Sequence, residues 1–142
     1  MSFTEKSSWI YAVISVVFPV VYIGMMAGEL QRTTVAEIDY QVPMLAAIGA
    51  AVVAAILAHI SLAIGARGDV GKTDERDRAI DHHGEYATGL ALAVGMLGAL
   101  GLVLLEVEHF WIASAMYLAF AISGFIGTIV KIVAYRRGLP AW

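Results

Sequence analysis

Residues 74–86 read DERDRAIDHHGEY and bring carboxylates, arginines and two histidines together at helical spacing. On a wheel of 100° per residue, Asp74, Asp77, Asp81 and Glu85 fall within about 80° of arc, because each acid follows the last by three or four positions. A stripe of like charge needs a partner, and three are open. Cations from a neighbouring helix can pair with it, another protein can dock on it, or Asp77, Asp81, Glu85 and His82 can converge on one metal ion. The cations at hand are Arg78, which flanks the stripe, and Lys131, Arg136 and Arg137 near the C-terminus. An internal charged cluster of Asp74, Asp77, Arg78, Asp81, Glu85, Lys131, Arg136 and Arg137 is the simplest expectation.

His59 is the other candidate. It lies inside a stretch free of Asp, Glu, Lys and Arg, roughly 10 Å from the end of a helix that would close near Ala66. An ionisable side chain at such depth is a functional candidate by default, to be weighed against a neutral imidazole hydrogen-bonded between helices. With Ser61, Ser114 and Ser123 it makes up an intramembrane polar set that a channel or transporter would use. Haem ligation by an intrachain histidine pair is excluded by depth: His109 falls near the opposite boundary, some 20 Å from His59, so only a pair of His59 residues across a subunit interface would serve.

Other chemistries lack their carriers. GARGDVGKT, residues 65–73, resembles a phosphate-binding loop, but the position five before Gly71 is Ala66, and no β-strand pattern precedes it. The chain contains no cysteine, which removes disulfides, thiolate metal sites and thiol nucleophiles. Neither a serine-hydrolase elbow nor a paired histidine–glutamate zinc motif occurs. Nine basic residues against twelve acids give no dominant positive field for a phosphate backbone, so nucleic acid is not an expected partner. No cofactor is expected, and the chemistry favours a non-enzymatic role.

The elements that position these residues follow from composition. Only 15% of the 142 residues are charged and mean hydropathy is +0.78, well outside the range of a soluble domain. The four charge-free stretches, 7–28, 40–66, 86–105 and 110–130, hold 22, 27, 20 and 21 residues, and about 20 suffice to cross the hydrocarbon core. The expected fold is an all-α, integral-membrane four-helix bundle, up-down-up-down, forming a single domain over residues 1–142. Its spans fall at about 8–27, 42–65, 85–105 and 109–131, and the third helix extends beyond the membrane from about residue 74. The first span is too long for a secretory signal and reads as an anchor. Thr73 is placed to cap the third helix, Pro19 to kink the first, and Pro43 to fit the first turn of the second.

Lys6, Arg67, Lys72, Arg76, Arg78, Lys131, Arg136 and Arg137 all fall on one side of this arrangement, and only Arg32 on the other. The positive-inside rule then puts both termini and the acidic stripe in the cytoplasm and argues against dual topology. Small residues at four-residue spacing mark packing faces: Ala46, Ala50, Ala54 and Ala58; Ala87, Ala91, Gly95 and Ala99; Ala119, Ser123 and Gly127. Such seams serve packing within the chain, a homo-oligomer interface, or both.

Taken together, DERDRAIDHHGEY, EHFWIA and VKIVAYRRGLP resemble a group of small bacterial membrane proteins of unknown function, with four spans and a cytoplasmic Asp-Glu-Arg-Asp segment. The resemblance runs from about the second span to the C-terminus. It implies a multi-pass protein of the bacterial inner membrane and carries no activity or site residues with it. The expected function is a small membrane protein whose charged cytoplasmic surface braces an oligomer or docks a partner protein. The alternative is a homo-oligomeric channel or transporter using His59 and the intramembrane serines.

Overall fold

The computed structural model describes residues 3–65 and 75–138. Among them the chain is all-helical apart from its connections, with helices α1 (Phe3–Leu30), α2 (Gln41–Gly65), α3 (Glu75–Leu104) and α4 (His109–Arg137) and one 3-10 turn at Val35–Glu37. All four are long and apolar enough to cross a membrane by length and composition. The loop around GARGDVGKT, the cap at Thr73 and Asp74 of the acidic stripe lie outside the described residues.

Several boundaries have a local cause. Pro43 sits in the first turn of α2, where its missing N–H is not needed. Pro19 lies inside α1, which nevertheless runs unbroken from Phe3 to Leu30. At the end of α3 the Val107 amide donates to the Leu102 carbonyl and the Glu106 amide to Val103, the paired closure of a Schellman motif. Glu106 occupies its left-handed position at φ 54°, where glycine is the usual residue. α4 ends on Gly138 at φ 85°, whose amide donates to the Ala134 carbonyl.

Successive helices run antiparallel, but they do not close into a four-cornered bundle. α1 packs along α2 and α4, α4 packs along α3, and α2 and α3 make no comparable contact. The order across the molecule is α2, α1, α4, α3, an open row in which α2 and α3 are the edges. α2 has no buried residue, and its Val42, Leu45 and Ile64 are among the most exposed large apolar side chains of the chain. Its alanine seam is exposed or only half-buried, whereas Ala119, Ser123 and Gly127 of α4 and Ala99 of α3 are buried.

Two kinds of packing hold the row. At one end Tyr22, Met26, Ile38 and Phe110 form a core, with Tyr40, Met44 and Tyr117 packed around it. Edge-to-face ring pairs join Tyr22 to Tyr117 at 5.1 Å and Tyr40 to Phe110 at 5.6 Å. This cluster ties the 3-10 turn and the start of α2 to the α1–α4 contact. Between α3 and α4 small residues allow close approach instead: a Cβ on Gly95 would lie 2.6 Å from that of Ala119, and one on Gly127 would lie 2.9 Å from the Gly84 carbonyl oxygen.

Candidate functional site

The charged run is helical from Glu75, so α3 begins about 16 Å before Tyr86, the first residue of its charge-free stretch, at 1.5 Å per residue. Antiparallel packing then brings this extension alongside the last turns of α4. Asp81 Oδ1 lies 3.0 Å from Lys131 Nζ, with the lysine side chain 21% exposed and the aspartate 33%. The lysine reaches the acid by lying across α3 at Gly84: any Cβ there would collide with its Cγ, Cδ and Cε carbons. Gly84 is itself buried, and its carbonyl accepts a hydrogen bond of 2.9 Å from Thr88 Oγ1. A residue without a side chain is therefore what lets a long cation lie flat between two helices and pair with a carboxylate one turn back.

The other cations of the expected cluster go elsewhere. The Arg136 guanidinium stands 5.4 Å from the centre of the Trp9 ring and joins α4 to the start of α1. Arg78, Glu85 and Arg137 are exposed, and Asp77 is half-buried. The α4 end is thus held on both sides, by Lys131 to α3 and by Arg136 to α1. Of the eight residues expected to cluster, the structure joins Asp81 with Lys131 and directs Arg136 to an aromatic ring. Among the described residues no three metal-ligating side chains form a group able to hold an ion, so Asp77, Asp81, Glu85 and His82 do not converge as a metal site would require.

The polar set of His59, Ser61, Ser114 and Ser123 is dispersed. Ser114 is buried and shares a 3.0 Å hydrogen bond with the Tyr22 hydroxyl, joining α4 to α1. Ser123 is buried and donates to the Phe120 carbonyl at 2.9 Å. Ser61 is exposed on α2 and donates to the Leu57 carbonyl at 2.8 Å. His59 is exposed on the same helix, at a shallow recess shared with Tyr11 and Ile56. Two of the serines are therefore committed to packing between or along helices, while His59 and Ser61 lie on an edge helix, away from them.

Sequence reasoning did not single out Gly84, Trp9 as the partner of Arg136, or the Tyr22–Ser114 bond. A glycine within a charged helical run, seven residues ahead of a seam alanine, is the signal that could have found the first. His82 and His83 also acquire a setting: with Tyr86, Leu90, Val130 and Val133 they line an open groove of about 720 Å³ between α3 and α4. A second groove, of about 600 Å³ and almost wholly apolar, lies where α1 is recessed between α2 and α4.

No family model, no curated protein and no solved structure matches this chain.

Proposed function

We propose that the chain is a non-enzymatic integral protein of a bacterial inner membrane, with both termini and the α3 extension cytoplasmic, and that this extension is a docking surface for a partner protein. The carrying observation is the Asp81–Lys131 pair lying over Gly84. It fixes the extension to α4, while Arg78 and Glu85, seven residues apart and so on one helical face, remain exposed. A charged helical face held rigidly is a better docking element than a loop, because less conformational entropy is lost on binding. The placement in a membrane is supported by the broad apolar exterior, in which Val20, Val53, Leu97 and Leu104 are more than half exposed. The orientation is supported by the distribution of lysine and arginine.

The test is a photo-crosslinking residue at position 78, compared with one at position 97. Position 78 is expected to capture one protein adduct of defined mass, whether a different protein or a second copy, and to lose it on reversal of charge at Glu85. Position 97 is expected to capture lipid. A crosslinker at 78 that reacts only with water refutes the docking surface.

A further inference from the structure

We propose that the groove between α3 and α4 binds an anionic phospholipid, with an acyl chain along the apolar wall and the headgroup phosphate at the outer mouth. The proposal rests on the membrane placement above. The wall is built from Leu90, Val130 and Val133, and its volume of about 720 Å³ falls within the range of ligand-sized clefts. His82, His83 and Tyr86 stand where this wall passes from the apolar stretch into the charged extension.

Charge complementarity selects the occupant. Arg76 is seven residues before His83, on the same face of α3. Arg137 is four residues after Val133, and Gly138 beside it lines the groove. The antiparallel register set by Gly84 against Lys131 and Gly127 brings positions 76 and 137 to the same level. Both arginines are exposed, and guanidinium groups match phosphate oxygens in a fork geometry. Asp81 is paired with Lys131 at the α3–α4 contact, and Asp77, one turn before it, shares that side of α3. Among the described residues at this level, Arg76 and Arg137 stand with Glu75, so cations outnumber acids at the mouth. A basic pocket between helices at the cytoplasmic side is the arrangement that holds anionic headgroups. This face is distinct from that of Arg78 and Glu85.

Native mass spectrometry of the full chain in mild detergent tests this, with phosphatidylglycerol and phosphatidylethanolamine of identical acyl chains supplied in equal amounts. An arginine near an anionic headgroup is worth roughly fivefold, and with Glu75 offsetting one of the two, phosphatidylglycerol is expected to be retained roughly fivefold over its zwitterionic counterpart. Arg76→Gln with Arg137→Gln should bring the two lipids to near parity, and Val133→Trp, which fills the groove from an exposed position, should lower retention of both. Equal retention by the unaltered chain overturns the headgroup site, and a preference that survives both sets of substitutions overturns its location. Extraction of the chain from vesicles by alkaline carbonate, measured first, separates the two levels: release from the bilayer defeats the membrane reading and this proposal together, whereas a retained chain with no lipid preference defeats this proposal alone.

Discussion

Replacing Gly95 by alanine tests the α3–α4 contact at its least forgiving point. The added Cβ would lie 2.6 Å from the Cβ of Ala119 and 3.3 Å from its Cα. Neither methyl has a rotamer through which to escape, and carbon atoms rest at about 3.5–4.0 Å, so the two backbones must part by about 1 Å. A gap of that size forfeits a quarter to a half of each neighbouring contact, and overpacking of this kind costs about 1–3 kcal/mol. Alanine also gains about 1 kcal/mol over glycine as a helix former, which masks part of the loss. Gly98→Ala removes the ambiguity, because Gly98 lies on the same helix with nothing within 4 Å of its would-be Cβ. Both variants carry the same backbone gain, and the difference between them isolates the strain at about 2 kcal/mol. Unfolding in mixed micelles of mild detergent and dodecyl sulfate, followed by far-ultraviolet circular dichroism, measures it. Gly95→Ala should unfold at lower dodecyl sulfate than Gly98→Ala, and Ala119→Gly in the Gly95→Ala background should recover most of the loss. Equal midpoints for the two alanine variants, or no recovery in the double variant, would refute the close approach.

Four other outcomes are expected, three from the geometry and one from the distribution of lysine and arginine. Asp81→Asn and Lys131→Met should each cost about 0.5–1 kcal/mol, with a coupling of similar size in a double-mutant cycle; zero coupling removes the clasp. Tyr22→Phe and Ser114→Ala should each cost about 0.5–1 kcal/mol in the same unfolding assay, and the pair together little more than either alone, because both remove one hydrogen bond. Glu106→Gly should stabilise the chain by about 0.5–1 kcal/mol by relieving the left-handed residue at the α3–α4 turn, an effect read as a raised unfolding midpoint. Because the sequence has no cysteine, Thr33→Cys and Arg137→Cys report orientation without background: a membrane-impermeant maleimide on intact cells should label position 33 and spare 137.

The charged extension was legible because α3 keeps one helical period through two compositions. The carboxylates of the run recur every three or four positions just where the apolar stretch has yet to begin, so a single helix projecting past that stretch is the economical reading. The pairing of Asp81 with Lys131 required more. It depends on the antiparallel register of α3 and α4 and on an absent side chain at Gly84, neither of which a charge pattern contains. His59 illustrates the opposite case, since a lone histidine in an apolar run is conspicuous in sequence, yet it is exposed with Ser61 on α2 while Ser114 and Ser123, grouped with it, are buried on α4.

The amino-acid sequence alone determined four apolar segments of spanning length and the uneven distribution of lysine and arginine among the segments that join them. Tertiary structure decided which helices touch: α1 beside α4, α2 and α3 left at the edges, and close contact made by Gly84, Gly95 and Gly127 while the alanine seam of α2 holds no fully buried residue. Hydropathy belongs to each residue and can be summed along a chain. Contact between helices that are apolar on every side gains little from hydrophobicity and is settled by steric fit between particular pairs of surfaces, a property that no single segment carries.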